Sequence, residues 1–400
     1  MSGNVYGLRL LANPRLQRLI LTTIALILVG FRLLQFAVFT TQIQWGYDFS
    51  AYWSAAGHLL SGEPIYTAAQ LAGSYAPQEQ YLYLYPPPLA AAAAPFAAVV
   101  PGDYRVAAWG WTALGAAILV AVILAVARSE GLAARLRGSL RLGPWILVAA
   151  AIGFPPVIGE LVLGNVHLVL LGLLGAAWLG IRSGTANGER LAGAAVGVAT
   201  LIKVFPGLIL LWFLLTRRWQ GAAFVFVGMI GATLLALPLT DTQPWLDYPT
   251  VLLNLSAPSD TTDTLAPTVW LAGMIGFLPA RLIVTATAIG LVAWSALRST
   301  TRMSFAVAVL ASVLMAPALY HHYLAILVLP FLLLLSEGRS LGWLAAAYLL
   351  MSGGTQTALG ELGWIVNRAM PTVGALVLLA IAYYRSTSQP PPRSAASSCA

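Results

Sequence analysis

The first long apolar run, LILTTIALILVGFRLLQFAV at residues 19–38, passes directly into FTTQIQWGYDFSAYW at residues 39–53. Twenty helical residues rise about 30 Å, the thickness of a bilayer's hydrocarbon core. The run therefore reads as a membrane span, with the aromatic stretch just beyond the bilayer. Arg9, Arg15 and Arg18 precede it, which places the N-terminus inside and 41–86 outside. That outer segment contains no Lys or Arg. No small-x-small cleavage site follows the run, so it reads as a retained anchor.

Composition extends this reading to the whole chain. Of 400 residues, 59% are apolar and 8% charged, against about 25% charged in soluble proteins. So little charge cannot cover a soluble surface, which excludes a soluble enzyme, a disordered scaffold and a disulfide-stapled domain. Long apolar runs also exclude an outer-membrane barrel, whose strands alternate. The net charge is +8, but the basic residues are 20 arginines in short clusters between apolar runs and the single Lys203. That is a topogenic pattern; no basic stripe with interleaved aromatics marks a nucleic-acid site. Cys399 is the only cysteine, so neither a disulfide within the chain nor a Cys metal site is available.

Apolar runs predict twelve spans: 19–38, 104–127, 144–160, 166–182, 191–203, 206–216, 220–240, 267–297, 303–319, 323–336, 340–354 and 368–384. The run 191–216 breaks at Phe205-Pro206 and reads as two short helices. The Ala-rich run 87–101 reaches only about 22 Å and reads as re-entrant or interfacial. The fold class is an all-α polytopic membrane protein of about twelve transmembrane helices, with interfacial helices in the first outer loop. Residues 1–385 read as one domain and 386–400 as a disordered cytoplasmic tail. Sixteen of the 20 arginines then fall inside, and ten of 13 acids outside. Acids contribute little to insertion, so their bias points to polar work at the outer face.

The outer face carries the candidate chemistry. Asp48 stands among Trp45, Tyr47, Tyr52 and Trp53, ahead of a helix expected over 49–60. Tyr52, Trp53, Ala56, Leu59 and Leu60 are expected on one face of it. The plain alternative for Asp48 is a solvated loop acid or that helix's N-cap. Tyr81, Tyr83 and Tyr85 precede three prolines, and such aromatics also form ordinary interfacial belts. Lys203 lies near the outer end of its span, a functional-site hypothesis against simple snorkelling. His321 and His322 end another span. Adjacent helical residues point about 100° apart, a poor arrangement for one metal ion, so binding of an anionic group is favoured. Gly164-Asn165-Val166-His167 opens the span 166–182, and Asn254-Leu255-Ser256 lies in an outer loop. No Walker A, GxGxxG or GxSxG motif is evident; no cofactor and no metal are expected.

In order along the chain, seven blocks resemble glycosyltransferase family 87 of the GT-C superfamily, the polyprenol-phosphate-mannose-dependent mannosyltransferases. They are Asp48-Phe49 with Tyr52-Trp53; Gly62-Glu63-Pro64-Ile65-Tyr66; Tyr83-Leu84-Tyr85-Pro86-Pro87; Gly164-Asn165; Lys203-Val204-Phe205-Pro206; Asn254-Leu255-Ser256; and Pro317 through His322. Two departures stand out. The family often has Gly-Gln-x-Asn where this chain has Gly164-Asn165-Val166-His167, and Ser-Trp where it has Leu319-Tyr320.

The resemblance implies a hexosyltransferase of the bacterial plasma membrane with its site facing the periplasm. It would move a hexose, mannose by resemblance, from a polyprenyl-phosphate donor to a glycolipid or glycan acceptor. Asp48 corresponds by motif to the superfamily's general base. Substrate would be bound by Lys203, His322, His321, Tyr52, Trp53, Tyr85, Asn165, Asn254 and Ser256. One displacement at the anomeric carbon would invert it. The competing class is a transporter or flippase of a lipid-linked sugar. That class needs polar residues continuing toward the midplane, whereas the acids here concentrate on one side.

Overall fold

The computed structural model describes residues 13–75, 81–136, 143–254, 264–338, 341–353 and 365–387. Most of the expected tail, 388–400, and Ser256 lie outside the described residues. Among those described, the elements are all helices. Pro14–Phe39, Tyr104–Ser129, Trp219–Thr240, Phe277–Arg298 and Ile365–Tyr384 are long and apolar enough to cross a membrane. Shorter apolar helices cover most of the other expected spans, among them His167–Ser183, Thr301–Leu314, His321–Ser336 and Leu341–Met351. The protein is polytopic and all-helical, as the hydropathy pattern requires.

Two expected spans need correction. The run 144–160 is two helices, Trp145–Gly153 and Pro155–Leu163, meeting at 73°. Pro155 cannot donate a backbone N–H, and its ring excludes the helical conformation from the residue before it. Phe154 accordingly sits in extended backbone (φ −81°, ψ 112°). The run 267–297 likewise divides into Pro267–Ile275 and Phe277–Arg298 around Gly276, whose φ is +85°. The Ala-rich stretch is the helix Pro87–Val99, 13 residues long and therefore about 20 Å, short of a bilayer. It packs along the first-loop helix Tyr47–Ser61, and its Ala90, Ala93 and Ala97 are buried.

Small residues set the closest helix contacts. Ala186–Ile202 lies against Trp219–Thr240 with Gly193 over Gly221 and Gly197 over Val225. A Cβ added at either glycine would come within 2.1 Å of a facing carbonyl oxygen. Between membrane helices, such backbone approach supplies the dispersion contacts that burial from water cannot. At the centre runs Thr301–Leu314, with Met303 through Leu314 all buried.

An ion network ties the arginine-rich end of the bundle. Arg302 reaches Glu130 at 2.6 Å and Glu337 at 2.6 Å. Arg182 lies 3.4 Å from Glu130, and Trp178 donates its indole N–H to the same carboxylate at 3.0 Å. Glu130 is itself fully buried, so losing the arginine that pairs with it would strand its charge.

Candidate active site

At the opposite end, five distant segments converge. The first-loop helix begins at Tyr47 with Gly46 as N-cap in the left-handed region. Its buried face is Phe49, Tyr52, Ala55 and Ala56. This corrects the expected face, since Trp53 is only half-buried and Leu60 is exposed. Asp48 lies in the first turn without being the cap. Its side chain keeps 24% exposure and so is not sealed off from the surface.

Asn165 holds that carboxylate. Its Oδ1 accepts from the Tyr52 hydroxyl at 3.1 Å and from the Val166 N–H at 2.7 Å. This fixes the orientation of the amide, since an acceptor must face those donors. Nδ2 then points at Asp48 Oδ2, 2.8 Å away, and at His322 Nε2, 3.2 Å away. His322 Nε2 lies 3.6 Å from Asp48 Oδ2. Burial among the rings pushes the Asp48 carboxyl above the usual carboxylate range. The Asn165 hydrogen bond and then the Lys203 charge pull it partly back.

Lys203 enters where the Ala186–Ile202 helix stops, three residues before Pro206. Its Nζ sits 3.8 Å from the ring centroid of Tyr323 and 5.3 Å from that of Tyr85. Tyr85 in turn packs edge-on against Tyr52 at 5.1 Å. The ammonium also donates to His167 Nε2 at 2.9 Å. His167 Nδ1 is held by Glu160 Oε2 at 2.9 Å, and both side chains are fully buried.

The tight turn at Gly164 makes this possible. Its φ is +67°, and an added Cβ would meet Phe49 Cβ at 2.8 Å. The turn carries the chain from Pro155–Leu163 into His167–Ser183, so Glu160 Oε1 accepts from the N–H groups of His167 and Leu168. Gly164→Ala should therefore cost about 1–3 kcal/mol through backbone strain. The same change should loosen the site, giving a lower melting temperature together with reduced activity in detergent.

Six candidates thus come together: Asp48, Tyr52, Tyr85, Asn165, Lys203 and His322. Others face elsewhere. His321 turns away and donates to the Met351 carbonyl at 2.9 Å. Trp53 donates to the Val100 carbonyl at 3.0 Å, and Asn254 to the Gln70 carbonyl at 2.8 Å. These two tie loop segments together. Glu160, His167 and Tyr323 belong to the cluster but were not singled out as site residues. Glu160 lies on the helix that follows the 73° bend, with its side chain buried against His167. Glu160, His167 and His322 offer ligand-type atoms within 4.8 Å of one another. Their nitrogens and oxygens are already engaged with each other, with Lys203 and with backbone, so an ion there would have to displace the ammonium.

A carboxylate, an imidazole and an ammonium gathered at the end of a helical membrane bundle have the make-up of a membrane-embedded group-transfer enzyme. The profile of glycosyltransferase family 87 matches residues 83–320, more than half of the chain. The chain belongs to that family and is a membrane glycosyltransferase. The matched span contains Glu160, Asn165, His167 and Lys203; Asp48 and His322 lie outside it and are joined to it by the geometry above. No curated protein and no solved structure matches the chain.

Proposed function

We propose that this protein transfers a hexose, mannose, from a polyprenyl-phosphate donor to a glycolipid or glycan acceptor at the outer face of the bacterial plasma membrane. The observation that carries the reading is the placement of Asp48 against Asn165 and His322 (2.8 and 3.6 Å), with Lys203 held beside them by His167. One side of the cluster offers a proton acceptor; the other offers cationic and neutral N–H donors for a phosphate.

In this mechanism the Asp48 carboxylate removes the acceptor hydroxyl's proton as that oxygen attacks the anomeric carbon. The bond from the anomeric carbon to phosphate oxygen breaks, and its electron pair leaves on the phosphate. Lys203 and His322 stabilise that growing charge. The leaving group departs as an anion, so no second carboxylic acid is needed to protonate it, unlike in glycosidases. A single displacement inverts the anomeric centre. Tyr52 and Tyr85 suit the CH faces of a sugar, and Asn165 holds the base in register.

The test is transfer from radiolabelled polyprenyl-phosphate mannose by purified protein, repeated in sealed vesicles with a short-chain donor that does not cross the bilayer. Glycolipid should be labelled in right-side-out vesicles and not in inverted ones. No transfer by the purified protein would reject the donor assignment; transfer confined to inverted vesicles would reject the sidedness.

A further inference from the structure

Lys203 has an unusual set of neighbours. Among the described residues no carboxylate pairs with it directly; its contacts are His167 Nε2, at 2.9 Å, and the faces of Tyr323 and Tyr85. A carboxylate stands one imidazole away, on the buried Glu160.

With Glu160 ionised and Lys203 charged, the protonation of the chain Glu160–His167–Lys203 follows from its donors and acceptors. A carboxylate only accepts, so His167 Nδ1 must carry the proton that faces Glu160 Oε2. Lys203 only donates, so His167 Nε2 must be the bare nitrogen. Glu160 is itself fixed, because Oε1 already takes the N–H groups of His167 and Leu168. Every member has one allowed orientation.

We infer that Glu160 and His167 are positioning residues that aim the Lys203 ammonium at the leaving phosphate of the donor while leaving it free of a direct ion pair. A carboxylate in contact with Lys203 would neutralise the charge that the departing phosphate needs. An acid acting through a neutral imidazole supplies orientation and a distant counter-charge, and leaves the ammonium's remaining protons for the substrate. The inference rests on the proposed role of Lys203 at the phosphate.

Glu160→Gln tests it. The amide oxygen must stay with the two backbone N–H groups, so the NH2 group faces His167 Nδ1. That nitrogen must then accept, the ring proton moves to Nε2, and two donors confront each other across the Lys203 contact. The experiment is a double-mutant cycle on transfer from polyprenyl-phosphate mannose, with Glu160→Gln, Lys203→Met and their combination. Glu160→Gln alone should lower kcat roughly tenfold, within the range of coupled groups in one network. In the Lys203→Met background it should cost nothing further. A merely structural role would instead multiply through both backgrounds, and that result overturns the inference, as does normal kcat for Glu160→Gln. Should Glu160→Gln fail to fold, His167→Gln takes its place in the cycle. Normal kcat for Lys203→Met would overturn the phosphate role and the inference with it. A wild-type protein that transfers no sugar would overturn the proposed function instead.

Discussion

Asp48→Asn should cut turnover by about 10²–10⁴-fold, the usual worth of general-base assistance, while donor binding survives. Asparagine matches aspartate in shape but cannot take the acceptor's proton. The helix does not depend on Asp48 as a cap, since Gly46 occupies that position. The Asn165 amide, now facing a neutral partner, keeps its contacts to Tyr52 and Val166. A pH profile sharpens the test. Because the environment raises the Asp48 carboxyl above its ordinary value, wild-type activity should fall with decreasing pH before an exposed carboxylate would protonate. The variant's residual rate should lose that limb. Stability should move the other way. An acid raised in the folded state binds its proton more tightly there than when unfolded, so its ionised form costs stability as pH rises through the gap. The Asn variant should thus melt no lower than wild type at neutral pH. Near-normal transfer by a folded Asp48→Asn protein would put the base elsewhere.

Lys203→Met should be comparably severe, lowering kcat by about 10²–10³-fold, the typical cost of losing one preorganised donor to a developing anion. Methionine retains an unbranched chain that can lie between Tyr85 and Tyr323, so packing is largely preserved. The loss should fall more on kcat than on donor KM, because the phosphate gains charge as the bond to the sugar breaks. An equal loss in donor affinity with unchanged kcat would make Lys203 a simple docking contact.

Much of this was legible in the sequence. Hydropathy located the helices because a lipid-facing helix must be apolar over most of its length. Asp48, Asn165, Lys203 and His322 were visible as polar groups beside apolar runs, where solvation is too costly for chance. Adjacent residues were harder. Of His321 and His322, and of Tyr52 and Trp53, the geometry admits one each to the cluster, since neighbours on a helix point about 100° apart. Glu160 was missed as a member of the cluster for a different reason. Summed hydropathy cannot register a change of chain direction, although Phe154-Pro155-Pro156 carried the signal for one. Asn254 had the right polarity and the wrong partner; only the packing of its helix against the segment around Gln70 shows it bonding backbone there.

The ion network around Glu130 also imposes an order on the making of the chain. Glu130 is synthesised 52 residues before Arg182 and 172 residues before Arg302. At about 5–20 residues per second, the second interval lasts roughly 9–34 s. For the first 52 residues of that interval neither arginine has been made, and until Arg302 only Arg182 of the two has. The bridge that Arg302 makes between Glu130 and Glu337 therefore closes only late in the making of the chain. The cluster that ties the mature bundle thus joins parts of the chain made at widely separated times.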